Sequence, residues 1–381
     1  MQVEVFRKHV AQNKTLWSSS VAQQVNGLSQ AEVELTSTLR LKPGFECRTG
    51  KQFVLLCYIR NPESNEEKSY SFDYSYDSFT PVHNQEDVFR DLGHFVLDNS
   101  LRGFNATIFA YGQTGSGKSY SMMGSKTKRD GLIPRICIGL FENIRQNTDP
   151  NKTISVNASY LEIYNEQIRD LLVVPKKGED KRRLKVRDNP KTGPYVEDLS
   201  EVTCASYDDI EKLLSDGDAM RTIAQTNMNA TSSRSHSIFT IKVKTTTILY
   251  SKDGEPTATD TLARVVLVDL AGSEKQKDTG TTGQQFEEAK RINLSLTALG
   301  LVIANLAEAA TKKGGGFVNF RDSVLTHLLQ PSLVGNSKTA MVAALSPASV
   351  NYEETLSTLR WADNCKKIKT KAEINESPTT S

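Results

Sequence analysis

Thr107-Ile108-Phe109-Ala110-Tyr111 runs directly into Gly112-Gln113-Thr114-Gly115-Ser116-Gly117-Lys118-Ser119. The first five residues are an apolar run of strand length. The next eight satisfy G-x-x-x-x-G-K-[ST] and open a short helical stretch at 119–123, the context this pattern requires. Three glycines let successive backbone N–H groups wrap a polyphosphate, and the helix N-terminus adds the positive end of its dipole. Lys118 is placed to reach β- and γ-phosphates, and Ser119 to offer a hydroxyl to Mg2+.

A phosphate loop alone defines a very large class, so the segments that could sense a terminal phosphate matter more. Val268-Asp269-Leu270-Ala271-Gly272-Ser273-Glu274 begins at the end of an apolar strand. Asp269 has the position at which a carboxylate holds a Mg2+-bound water. Gly272 has no side chain to keep its N–H from a terminal phosphate. Upstream, Asn229-Ala230-Thr231-Ser232-Ser233-Arg234-Ser235-His236 crowds hydroxyls, a guanidinium and an imidazole ahead of another strand. Alone this would suit a polar turn. Beside the other two motifs it reads as a loop that switches between phosphate-bound and released states.

Around these motifs, period-2 and helical stretches alternate, which predicts an α/β fold. Strands are expected at 52–60, 107–111, 153–164, 238–249, 262–270 and 339–345. Helices are expected at 86–99, 119–123, 131–146, 207–220, 283–310, 321–329 and 351–369. Pro331 is expected to end one helix, and Gly335-Asn336 marks a turn. The segments 176–187 and 311–316 are basic surface loops. No repeat, heptad pattern or dividing linker is visible, so one domain of about 369 residues fits, with a polar tail that frays unless it docks.

The 381 residues carry 47 Lys+Arg against 45 Asp+Glu, a formal charge of +2, with 38% hydrophobic and 24% charged residues. Such a balance is that of an ordinary globular protein and argues against a strongly basic nucleic-acid binder. No continuous apolar run approaches the roughly 18 residues that cross a bilayer. Residues 1–10 carry charges where a secretory leader has its apolar stretch, so secretion is not expected. Cys47, Cys57, Cys137, Cys204 and Cys365 are widely spaced and the histidines scattered, which predicts buried free thiols and no structural zinc.

Taken together, residues 109–119, 229–236 and 269–274 resemble the kinesin motor domain, over about 72–378. Further matches are Tyr160-Leu161-Glu162-Ile163-Tyr164-Asn165-Glu166, Ile292-Asn293-Leu294-Ser295-Leu296 and Glu354-Thr355-Leu356-Ser357-Thr358-Leu359-Arg360. Residues 193–199 (GPYVEDL) and 374–378 (INESP) resemble the kinesin-3 subfamily most. The resemblance implies a P-loop NTPase fold, a central, mostly parallel mixed sheet with helices on both faces. It implies ATP and Mg2+ as cofactors, microtubules as partner, and microtubule-stimulated ATP hydrolysis. Residues 229–236 would be switch I and 269–274 switch II. Ser233 would approach Mg2+ alongside Ser119, with Asp269 acting through water. Ser232 would hold the attacking water. Arg234 and Glu274 would form a salt bridge closing the site, and Glu274 would relay a proton from that water through a second one. Tyr120 is placed to stack on adenine, with ordinary packing as the alternative.

The family opens with a strand ending in R-x-R-P, which embraces adenine. Here residues 3–5 start such a strand, but Arg7-Lys8-His9-Val10 lacks the proline, and residues 1–67 match the family poorly. By resemblance, Lys275, Lys277, Asn293, Lys312, Lys313 and Arg321, with Lys191, would face the acidic microtubule surface. With only Lys312-Lys313 before three glycines, electrostatic tethering is expected to be weaker than is usual in kinesin-3. Residues 370–381 resemble a neck linker C-terminal to the motor core, which suggests plus-end-directed movement. The chain is expected to be the motor part of a longer, possible dimeric protein of the cytoplasm and cytoskeleton, with no membrane contact by this domain. Two other readings compete: a microtubule-binding protein with impaired nucleotide use, favoured by the missing R-x-R-P, and a P-loop ATPase acting on another polymer such as DNA, which no nucleic-acid motif supports.

Overall fold

The computed structural model describes residues 2–7, 42–44, 54–77, 83–125, 127–173, 184–190, 192–228, 232–250, 255–274, 284–311 and 318–378. In chain order the strands are β1 (Gln2–Arg7), β2 (Lys42–Gly44), β3 (Val54–Arg60), β4 (Glu67–Phe72), β5 (Tyr74–Asp77), β6 (Ala106–Tyr111), β7 (Lys152–Tyr164), β8 (Gln167–Asp170), β9 (Val186–Asn189), β10 (Gly193–Val196), β11 (Val202–Cys204), β12 (His236–Tyr250), β13 (Pro256–Asp269), β14 (Lys338–Leu345) and β15 (Glu376–Pro378). The helices are α1 (Gln85–Val88), α2 (His94–Leu101), α3 (Lys118–Met123), α4 (Leu132–Gln146), α5 (Tyr207–Met228), α6 (Gln284–Thr311), α7 (Val324–Val334) and α8 (Tyr352–Cys365).

One large sheet has the order β11-β7-β12-β13-β6-β14-β1-β5. Pairing is antiparallel from β11 to β13 and parallel from β13 to β5, so the sheet is mixed. Central β6 is buried at every position and β14 at all but its first, as strands covered on both faces must be. On one face Ile108, Phe239 and Leu267 pack with Leu92, Ile136 and Leu214 from the helical layer. On the other, Phe109, Val268 and Met341 pack with Ile303, Leu329 and Leu359 from α6, α7 and α8. Burying such side chains contributes about 2 kcal/mol each. Cys57, Cys137, Cys204 and Cys365 are buried within these layers and form no disulfide among the described residues, and burial pushes the Cys204 thiol up to about 11.

Three expectations change. The helix expected at 86–99 is broken by a wide π turn, Phe89–Gly93, between α1 and α2. Asn84 starts α1 with a reciprocal capping box to Asp87. Pro331 does not end its helix: α7 continues to Val334. The proline lies in the last turn, where its missing N–H costs a single bond, and the Gly335 N–H closes on the Pro331 carbonyl at 3.1 Å. Finally, α6 contains an 18-residue stretch, Leu294–Thr311, of mean hydropathy 1.5, long and apolar enough to cross a membrane by length and composition. Ser295, Thr297, Asn305 and Glu308 interrupt it and hide it from a search for continuous apolar runs. Its Leu299, Val302 and Ile303 fill the core beneath the sheet.

The polar tail docks. β15 pairs antiparallel with Thr259–Thr261 of β13. Just before it, the Asn375 side-chain amide donates to the carbonyl of Leu262 and the amide oxygen of Asn105, both at 3.0 Å, and to the Gly103 carbonyl at 3.3 Å.

Candidate functional site

The phosphate loop joins β6 to α3, and its glycines adopt backbone that other residues resist. Gly112 has φ +150, and a β-carbon there would lie 2.1 Å from the Ala344 carbonyl oxygen, so only glycine fits. Lys118 opens α3 with its side chain buried, its ammonium donating to the carbonyls of Gly112 and Gln113 at 2.8 Å each. Burial holds the Lys118 pKa below its ordinary value, against the opposing pull of Asp269 and Glu274.

Asp269 ends β13 beside this loop. The Ser119 hydroxyl donates to its Oδ2 at 2.5 Å. Its Oδ1 is buried with no hydrogen-bond partner. A buried carboxylate oxygen without a donor is costly, and next to a serine hydroxyl it suits a hydrated divalent cation. The donor set, one hydroxyl and one carboxylate at a phosphate loop, is that of Mg2+ rather than of a softer metal.

The two switch segments meet at Gly272. Its N–H donates to the Ser233 carbonyl at 2.8 Å, and the Ser273 N–H to the Gly112 carbonyl at 3.1 Å. The Glu274 carboxylate accepts from the Thr114 N–H at 2.7 Å and from the Thr114 hydroxyl at 2.5 Å. The acid is thus held by the phosphate loop. Ser232-Ser233-Arg234 form one 3-10 turn leading into β12.

His236, the first residue of β12, connects these parts. Its Nδ1 accepts from the Ala271 N–H at 3.0 Å, which leaves Nε2 to donate to the Ser295 hydroxyl on α6 at 2.8 Å. Burial, with Arg221 and Lys118 nearby, depresses its pKa to about 3, so the imidazole is neutral. Sequence reading placed His236 in the switch segment and gave it no task. A further link it missed is Glu166, whose Oε2 accepts from the Val324 N–H at 2.7 Å and so binds the start of α7. Asn165 and Glu166 both have positive φ, a tight turn that the Tyr-Asn-Glu spelling could have signalled.

Gly112 through Ser119, Asp269, Gly272, Ser233 and Glu274 therefore come together. Tyr120 follows on α3, 38% exposed, with its carbonyl accepting from Gln85 at 2.5 Å. Arg321 lies apart from them, in the 3-10 turn before α7, its guanidinium 2.7 Å from Asp188 of β9. Lys191, Lys275, Lys277, Lys312 and Lys313 lie outside the described residues, as do the side chains of Ser232 and Asn293. β1 lies between β14 and β5.

A central α/β sheet, a phosphate loop after its middle strand, an acidic strand end and two loops meeting between them define the P-loop NTPase fold. Residues 47–368 match the kinesin motor domain, and the chain belongs to that family. It is 52% identical over 322 residues to Kinesin-related protein 1 of Dictyostelium discoideum, covering 83% of this chain and 14% of that protein. Its identity to the kinesin-like protein KIF1A of Rattus norvegicus is 49% over 338 residues, 84% of this chain and 19% of that one. With the kinesin-like protein KIF13A of Mus musculus it is 46% over 367 residues, 94% and 20%. These relatives include the kinesin-3 motors. The chain spans only a small part, 14% to 20%, of their length. Among solved structures, it superposes on a KIF14[391-772] dimer with AMP-PNP in complex with a microtubule at a TM-score of 0.80, with 37% identity over 98% of this chain and 95% of that one. A fast kinesin gives a TM-score of 0.76, again at 37% identity, covering 98% and 93%.

Proposed function

We propose that residues 1–369 form an ATP-driven microtubule motor and that 370–381 are its output element. The observation that carries this is the meeting of three segments around one loop: Ser119 on Asp269, Gly272 on Ser233, and Glu274 on Thr114. A site so built registers the presence or loss of a terminal phosphate in both switches at once.

In this reading Gly112 to Ser119 hold the polyphosphate of ATP, and Tyr120 stacks on adenine. Ser119, Ser233 and, through water, Asp269 hold Mg2+, which when bound screens phosphate charge. Gly272 would turn its N–H, which here donates to the Ser233 carbonyl at 2.8 Å, to the terminal phosphate. Ser232 positions the attacking water, and Arg234 with Glu274 closes the site, Glu274 accepting the water's proton by way of a second water. Placement and charge screening supply most of the acceleration in phosphoryl transfer. Lys275, Lys277, Asn293, Lys312, Lys313 and Arg321 face the acidic track. His236 would transmit the state of the switches to α6 through Ser295. Docking of the tail on β13, C-terminal to the core, supports plus-end-directed movement, and the relatives' names support action on microtubules in the cytoskeleton. Dimerisation would come from regions beyond this chain.

The test is steady-state ATP hydrolysis with and without taxol-stabilised microtubules at low salt. Stimulation of about tenfold or more is expected. Microtubule binding without stimulation would instead favour a track binder with impaired nucleotide use.

A further inference from the structure

On the sheet face beside the docked tail, the hairpin β9–β10 and the last turn of α7 stand off from β7, β12 and β13. They leave a cavity of about 640 Å3, within the size range of small-molecule sites. Its floor is apolar, with Leu161 and Ile238 each 4% exposed. Two cations line it, Lys242 of β12 and Arg264 of β13, which stand directly opposite each other in register. Like charges in that relation are destabilising. Glu201 offsets one of them through its ion pair with Lys242. Among the described residues, no ion pair involves Arg264, whose pKa is held down by burial and only partly supported by Glu201.

We propose that this cavity binds a small carboxylate with an apolar body, its carboxylate on the Arg264 guanidinium and its body over Leu161 and Ile238. An anion there relieves the Lys242–Arg264 repulsion, and Arg presents a planar fork matched to a carboxylate. A peptide adding itself as a strand is disfavoured: β13 pairs with β12 along one edge, and with β6 and β15 along the other.

The site is linked to the tail. Asn375 lines the cavity mouth. The amide oxygen of Asn105 accepts from the backbone N–H of Arg264 at 2.8 Å and from the Asn375 side-chain amide at 3.0 Å. A ligand on Arg264 therefore binds the docked tail arrangement better than an undocked one, and by linkage it favours docking. The site itself does not depend on the motor reading.

Isothermal titration of the 381-residue chain with 4-phenylbutyrate, and with uncharged 4-phenylbutanol, tests this. Saturable binding of the carboxylate at one site is expected, about tenfold or more tighter than the alcohol, as a charge-assisted hydrogen bond implies. Arg264→Gln should lose about tenfold and Arg264→Lys recover part of it. Val334→Trp, at a rim position 38% exposed, should block the cavity without touching the sheet, and it carries the test if Arg264→Gln fails to fold. Asn375→Ala should weaken binding several-fold. Absence of saturable binding, equal affinity for the alcohol, or unchanged binding in Val334→Trp would overturn the site; unchanged binding in Asn375→Ala would overturn its link to the tail.

Discussion

Thr114 clasps Glu274 with two donors, its backbone N–H at 2.7 Å and its hydroxyl at 2.5 Å, so one residue of the phosphate loop holds the far end of the 269–274 segment. The same carboxylate is the one proposed to pair with Arg234, and it must leave Thr114 to do so. Thr114 thus weighs against closure. Thr114→Val keeps the N–H and removes the hydroxyl, a loss of about 1 kcal/mol for a partly exposed charge-assisted bond. Microtubule-independent turnover is expected to rise about fivefold in single-turnover assays; a fall would show that the clasp assists closure.

Glu274→Ala removes both the clasp and the proposed relay. ATP binding, followed with a fluorescent analogue, should remain within a few-fold of wild type while turnover is abolished. Turnover retained in this variant would remove Glu274 from the chemistry.

His236 makes stability depend on pH. Its folded-state pKa of about 3 lies below the ordinary 6.5. The unfolded chain therefore takes up a proton below pH 6.5 that the folded chain refuses until about pH 3. The contribution is complete above pH 6.5 and is lost as pH falls towards 3, at about 1.4 kcal/mol per pH unit. Urea unfolding at pH 7 and pH 5 should show this loss. His236→Gln can still accept from Ala271 and donate to Ser295, and should be less stable at pH 7 but less sensitive to acid. Equal pH sensitivity in the two proteins would rule out His236 as the titrating group.

Asp188 holds Arg321 at 2.7 Å and the His327 imidazole at 2.8 Å. Because Arg321 is exposed, the pair is weak and salt-sensitive. Asp188→Asn frees a cation on the proposed track face. Microtubule affinity in cosedimentation should rise about threefold at low salt, and the gain should vanish above roughly 0.2 M salt. Lys312→Ala with Lys313→Ala should weaken binding shallowly rather than abolish it.

Trp361 stacks on Tyr111 with ring centroids 3.9 Å apart, directly before the phosphate loop. In a Trp17→Phe background its emission should change when Mg2+–nucleotide is added, and Lys118→Ala should remove the change. A flat titration in a nucleotide-binding protein would place Trp361 outside the moving part.

Much of the site was readable because its residues are consecutive. Gly112 to Ser119 and Asp269 to Glu274 carry their chemistry in local spelling, and the strands ahead of them follow from uninterrupted apolar runs. What could not be read depends on residues distant in sequence. Glu274 meets Thr114 across 160 positions, and His236 meets Ser295 across 59. Local rules failed where context outweighed them. Pro331 sits one turn from a helix end and costs little there, and the tail at 376–378 becomes a strand only because β13 offers an edge.

β13 holds the tail at Thr259–Thr261 and the proposed metal carboxylate at Asp269. The nine steps from Asp260 to Asp269 span about 30 Å at a strand's rise. A strand laddered to β12 along its whole length, and to β15 and β6 at its two ends on the other side, neither stretches nor slides without breaking many rungs. It therefore behaves as a ruler between the chemical end and the output end. In the motor reading proposed above, news of a lost phosphate would have to travel around it, so the tail would be released by a lever swinging beside a fixed bar rather than by the bar itself.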